Sequence, residues 1–158
     1  MAGKTEREKK RRIICENRRV QHEYAISDTL EAGLSLLGSE VKALRAGGGN
    51  IREAHVRFEA GEVWLVDAHI APYEQANRQN HEPTRRRKLL VNKGERERWH
   101  KRVKERGFTA IPVRMYFVGP WVKVEIALGR GKRLHDKRAT LKERADQRDM
   151  DRAMKERD

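Results

Sequence analysis

The chain has 158 residues, 37% of them hydrophobic and 39% charged, and carries 37 Lys and Arg against 24 Asp and Glu for a formal net charge of +13 at pH 7. That composition suits one compact domain with a modest core and solvated ends, and it leaves too little apolar sequence for two full domains. No apolar run approaches the ~20 residues of a membrane span, the N-terminal residues show no apolar signal segment, and the lone Cys15 excludes an internal disulfide or a cysteine metal cluster; the expected setting is cytoplasmic.

The charge is segregated along the chain. Residues 1–19, 78–106 and 129–158 are basic, whereas 20–77 is acidic. A surface serving only solubility mixes both signs, so the segregation points to a polyanion partner. Residues 1–12 are nearly all charged or small and are expected to form a disordered basic arm. From Ile13 the pattern becomes strand-like, through Ile13-Ile14-Cys15, His22 to Ile26 and Leu30 to Leu37. Gly38-Ser39 then opens a short helix near 39–46, with Ser39 as N-cap, Glu40 in the positive first turn and Gly47 after its end.

A hairpin follows, with His55 to Phe58 leading in and Glu62 to Ile70 leading out; Trp64, Val66, Ala68 and Ile70 alternate to one face. After Pro83-Thr84, which read as a helix entry, the basic run from Arg85 predicts a helix near 85–92. A second helix is expected over 95–106, its glutamates early and its cations late, with Trp99 and Val103 as core anchors and Gly107 as the stop. Thr109 to Leu128 reads as another hairpin, turning at Gly119-Pro120. Tyr24, Trp64 and Phe117 are expected in the core; Trp121 suits a barrel mouth. Hairpins with inserted helices over 13–128 predict a mainly β domain, an OB-fold-like closed antiparallel barrel of a kind that binds nucleic acid on one face. An open α+β sandwich is the alternative.

From Gly129 a basic tail begins, expected to be disordered when free. On a helix its Arg144, Arg148 and Arg152 would form one stripe, suited to phosphates, with Met150 and Met154 roughly opposite. Little supports an enzyme. The six histidines fall singly, and Cys15 reads as a core filler rather than a nucleophile. His135-Asp136, on an Arg-rich tail, reads better as a base-stacking site than as an acid–base pair. Glu31, among Leu30, Ala32 and Gly33, suits either a guanine edge or ribose hydroxyl, or a nearby backbone N–H. No cofactor or metal is called for.

Four segments in register, Glu31-Ala32-Gly33-Leu34, Gly38-Ser39-Glu40-Val41-Lys42-Ala43-Leu44-Arg45, Pro83-Thr84-Arg85-Arg86-Arg87-Lys88-Leu89-Leu90 and Gly131-Lys132-Arg133-Leu134-His135-Asp136-Lys137-Arg138, resemble the bacterial SsrA-binding protein family, small protein B. The resemblance runs from about Ile13 to Lys155. It implies a non-enzymatic adaptor that binds the tRNA-like domain of transfer-messenger RNA (tmRNA) and delivers it to stalled ribosomes. The implied partners are the ribosome with its small-subunit rRNA, and elongation factor Tu with alanyl-tmRNA. The tail would enter the decoding centre and the empty mRNA channel and become helical there. The family's RNA-binding positions fall on Asn17, Glu31, Leu90 and Lys123, and its ribosome-reading positions on Gly131, Lys132, His135, Asp136, Lys137 and Arg138. Ala145-Asp146-Gln147 stand where many relatives place a tryptophan. A ribosomal or general single-strand RNA-binding protein is the runner-up reading.

Overall fold

The structure is a computed structural model that describes residues 11–132 and 134–156. The first strand, β1 (Arg11–Glu16), begins inside the stretch expected to be an unstructured arm; residues 1–10 of that arm lie outside the described residues. The chain continues through α1 (Val20–Glu23), β2 (Tyr24–Leu34), α2 (Gly38–Arg45), β3 (Gly49–Asn50), β4 (His55–Glu59), β5 (Glu62–Val66) and β6 (His69–Ile70). A 3-10 turn (Glu74–Gln79) precedes β7 (Arg87–Leu90), α3 (Lys93–Arg106), β8 (Thr109–Val118), β9 (Trp121–Gly131) and α4 (Leu134–Glu156).

Seven strands form one sheet in the order β1-β8-β9-β2-β7-β5-β4, with β3 and β6 paired separately. Every neighbouring pair in the sheet is antiparallel. The expected closed barrel is corrected here: the sheet is not closed, because β1 and β4 stand at its two ends without pairing to each other. Closure needs the last strand to continue the ladder onto the first. Here the ladder narrows to Val63–Leu65 against Arg87–Leu89 before reaching the short β4–β5 hairpin, and it runs out there.

Period-two alternation builds the core. Met115 and Phe117 from β8, Val122, Val124 and Ile126 from β9, Ala32 and Leu34 from β2, and Leu89 from β7 pack inward on Leu44 of α2 and Trp99 of α3. A smaller cluster of Val20, Ile111, Val113 and Ala127, with Tyr24 against it, seats α1. α3 is anchored by Trp99 and Val103 as expected, and it ends where Gly107 takes the left-handed conformation at φ +68°.

Two local expectations change. The segment near 85–92 is not a helix but the strand β7, inserted between β2 and β5. Its residues alternate, with Arg87 and Leu89 pointing in and Lys88 and Leu90 pointing out. Arg87 is wholly buried and donates through Nε to the carboxylate of Glu40, which is itself wholly buried. Its Nη1 donates to the Ala68 carbonyl (2.8 Å) and its Nη2 to the Pro83 carbonyl (3.1 Å). The second change is at α2, which begins one residue before Ser39. The Leu37 N–H donates to Glu40 (2.8 Å), capping the helix, while Ser39 Oγ pairs with His81 Nδ1 (2.9 Å). Arg85 adds a bond to Glu40 at 2.6 Å. A buried carboxylate thus holds one helix, one strand and two loop carbonyls together, which a surface glutamate at a helix start would not do.

β9 runs on to Gly131 rather than ending at Leu128, so the sheet extends into the residues expected to start the tail. Beyond it, Leu134–Glu156 form one helix, where an unstructured free tail was expected. No proline or glycine interrupts this span, and Gln147 donates to Asp151 one turn on (3.0 Å).

Candidate nucleic-acid interface

The same alternation that fills the core decides what the sheet shows to solvent. Trp121, Lys123 and Glu125 point outward from β9, Glu31 and Gly33 from β2, Leu90 from β7, and Arg114 and Tyr116 from β8. Register aligns them in rows. Leu90 lies opposite Gly33, Gly33 opposite Lys123, Lys123 opposite Tyr116, and Tyr116 opposite Ile13 of β1. The next row runs from Glu31 through Glu125 and Arg114 to Glu16.

Three of the four expected RNA-binding residues, Glu31, Leu90 and Lys123, therefore share one face. Leu90 is 55% exposed and Trp121 69% exposed, and the two line one cleft, so that they form a shared apolar patch of the kind an interface uses. Gly33 matters because it has no side chain: a Cβ there would come within 3.3 Å of Leu90 Cβ. Its absence leaves a cleft of about 380 Å³ lined by Gly33, Leu36, Leu90, Trp121 and Lys123.

Glu31 is not in the apolar setting expected for it. Its side chain is 41% exposed. Oε2 accepts from the Tyr116 hydroxyl and also from Arg11 Nη2 (3.1 Å). The Arg11 guanidinium lies over the Tyr116 ring, 4.9 Å from its centroid, so a residue at an outward position is almost fully covered. Burial, and then the hydrogen bond to Glu31, raise the Tyr116 hydroxyl above its ordinary pKa, and it stays a donor at neutral pH. Neither Tyr116 nor Arg11 was found from sequence. The available signal was an aromatic at the polar phase of β8.

Asn17 stands apart from the other three. It follows β1, its N–H donates to the Val113 carbonyl (2.7 Å), and its Oδ1 accepts from the Arg19 N–H (3.3 Å). It lines a second cleft, of about 280 Å³, with Glu16, Arg18, Gln21 and Arg144. Asn17 thus faces the tail helix rather than the Leu90–Lys123 row.

At the root of the tail, Gly131 pairs with Tyr24. The Lys132 N–H donates to the Glu23 carbonyl (2.7 Å) and its Nζ to the Gln21 carbonyl (2.8 Å), both on α1. Arg138, Arg144, Arg148 and Arg152 are exposed on α4, as are Leu141, Met150 and Met154. His135, Asp136 and Lys137 fall in the first turn of α4; their side chains, and the stacking role expected of His135, lie outside what is described.

Not all of the basic run is available to a polyanion, since Arg87 is internal and Arg85 is spent on Glu40. Of the aromatics expected in the core, Phe117 is buried, Tyr24 half-buried, and Trp64 lies half-buried beneath Arg86, whose guanidinium is 4.4 Å from its ring. Trp99 is buried. Burial pushes the Cys15 thiol up to about 11, with the charge of Glu16 adding to it and a backbone hydrogen bond at Ile51 opposing it, which suits a core filler rather than a nucleophile.

A family model described as SmpB protein matches residues 14–156. The SsrA-binding protein of Microcystis aeruginosa is 52% identical over 145 residues, covering 91% of this chain and 94% of that protein. The SsrA-binding protein of Desulforamulus reducens is 49% identical over 158 residues, covering 99% and 98%. A solved structure described as "tmRNA-SmpB: a journey to the center of the bacterial ribosome" is similar at a TM-score of 0.63 and 44% identity, over 76% of this chain and 85% of that one.

Proposed function

This chain belongs to the SmpB protein family, and from that premise we propose that it is a non-enzymatic RNA-binding adaptor of ribosome rescue. It binds the tRNA-like domain of tmRNA on the outer face of its sheet and promotes the stable association of that RNA with stalled ribosomes. The observation that carries this reading is the alignment of Leu90, Gly33 and Lys123 in one row beside Glu31. It offers apolar surface for an unstacked base, a cation for phosphate and a carboxylate for a hydrogen-bond donor, the combination that folded single-stranded RNA requires.

The tail carries the second part of the function. Gly131, Lys132, His135, Asp136, Lys137 and Arg138 read the decoding centre, and Arg144, Arg148 and Arg152 run along small-subunit rRNA in the empty mRNA channel. Because α4 leaves Leu141, Met150 and Met154 exposed, packing alone does little to hold it. As a helix the tail presents Arg144, Arg148 and Arg152 along one stripe, the form in which it meets the rRNA. Asn17 adds a fourth RNA contact from the cleft it lines with Arg144, and elongation factor Tu with alanyl-tmRNA completes the delivered complex.

A competition titration tests the first part. Folded tRNA-like RNA should displace an unstructured RNA of equal length and not be displaced by it; equal competition would favour a general single-strand RNA-binding protein instead. The same titration at several salt concentrations separates roles. Lys123→Ala should weaken binding and lower the slope of log affinity against log salt by about 1, as one lost phosphate contact does. Glu31→Ala should weaken binding with the slope unchanged.

A further inference from the structure

Resting on that reading, we propose that Tyr116 and Arg11 are positioning residues that saturate one oxygen of Glu31 and present the other to a single ribose hydroxyl of the bound RNA. Both donors converge on Oε2. A carboxylate oxygen has two lone pairs, and here the hydroxyl and the guanidinium take both. Among the described residues nothing engages Oε1, which stands as the acceptor on an exposed face, on a side chain pinned from two directions.

This arrangement narrows the ligand chemistry. A guanine edge presents two parallel donors and is received best by both carboxylate oxygens; with Oε2 occupied that two-bond mode is closed. A single donor can. Lys123 lies opposite Gly33, two residues along β2 from Glu31, so a strand that sets a phosphate on Lys123 brings its sugar to the carboxylate. The 2′-hydroxyl is the donor that distinguishes RNA from DNA at such a contact. Arg11 has a second effect. Paired with Glu31 and stacked on Tyr116, it neutralises a negative charge that would otherwise repel the approaching phosphate backbone. Neighbouring Glu125 is offset in the same way, 3.0 Å from Arg114 Nε. Tyr116, raised by burial, keeps its proton over the whole working pH range and does not lose its role as donor.

The test uses the full chain and a set of tRNA-like domain RNAs, each carrying one 2′-deoxy substitution. Wild-type protein is expected to lose roughly tenfold or more in affinity at one sugar position, the size of a hydrogen bond to a charged acceptor. The same deoxy RNA should bind Glu31→Ala no worse than the unmodified RNA does. Tyr116→Phe keeps the ring beneath Arg11 but removes the hydroxyl, and it should shrink the deoxy effect while thermal stability shows the protein still folded. If no sugar position distinguishes wild type from Glu31→Ala, or if Tyr116→Phe leaves the deoxy effect whole, the inference is wrong. A loss confined to base substitutions would also overturn it, by assigning the donor to a base amine. Wild-type protein that does not prefer the tRNA-like RNA at all would bring down the broader reading, and this inference with it, so the two failures are told apart.

Discussion

Replacing Glu40 by alanine is expected to cost about 3–5 kcal/mol of folding free energy, the range for breaking a buried ion pair from one side. The loss exceeds that of a surface bridge because Arg87 would remain wholly buried, with bonds to the Ala68, Glu82 and Pro83 carbonyls but no paired carboxylate. The N-terminus of α2 would also lose its cap, since the Leu37 N–H has no other acceptor there. Glu40→Gln should be destabilised as well, because an amide takes a similar shape but supplies no charge. Replacing Glu40 and Arg87 together by methionine should cost less than either single change, since an apolar pair leaves no stranded charge. Urea unfolding at pH 7 of the wild type, Glu40→Met, Arg87→Met and the double variant checks this; additive losses would mean that the two residues are not coupled.

The same site sets an acid dependence. Burial by itself would raise the Glu40 carboxyl, but hydrogen bonds from Arg85, the Leu37 N–H and Arg87, with the charge of Arg87, hold it below the usual carboxylate range. A group whose folded value is lowered stabilises the fold fully above its unfolded value, near ~4.3 for glutamate, and that contribution is lost as pH falls through the folded value. Stability of the wild type should therefore fall on acidification below pH ~4.3 through a component that is missing from Glu40→Gln.

Cutting the chain after Lys132 is expected to leave affinity for tRNA-like RNA largely unchanged and to abolish peptide tagging on stalled ribosomes. The proposed RNA face, with Glu31, Leu90 and Lys123, lies wholly before the cut. Every exposed arginine of α4 lies after it. The position of the cut matters. Ending the chain at Leu128 instead would remove Gly129, Arg130 and Gly131, which pair with Ile26, Ala25 and Tyr24, together with the Lys132 bonds to α1. That shorter protein should melt lower and bind RNA less well for a reason unrelated to the ribosome. Tagging that survives removal of 133–158 would refute the division between an RNA-gripping body and a ribosome-reading tail.

Much of the sheet was legible because the β8–β9 hairpin and β5 alternate so regularly that period two fixes both their faces. α3 was equally plain, since its charges follow the helix dipole and Trp99 and Val103 fall one turn apart. β7 was misread because Pro83-Thr84 read as a helix entry ahead of the basic run Arg85-Arg86-Arg87-Lys88. The alternation of Arg87, Lys88, Leu89 and Leu90 was present, but nothing local says that an arginine will be buried. That depends on Glu40, which lies 47 positions away in sequence. The site shows the same limit. Leu90 and Lys123 were named through resemblance and Glu31 first from its own neighbours, and only register placed the three on one face. Tyr116 and Arg11 act on Glu31 from strands on the far side of β9, a relation that no spacing along the chain encodes.

The grip of Lys132 on α1 bears on the bearing of the tail as well as its attachment. Two bonds to carbonyls of the single turn of α1 tie the end of β9 to that helix just before α4 sets out. At 3.6 residues per turn, one residue inserted within α4 ahead of Arg144 would swing the row of Arg144, Arg148 and Arg152 by about 100° relative to the helix's first turn. Net charge would be untouched. Arg144 would leave its place beside Asn17, and a tail of identical composition would present its cations to the wrong wall.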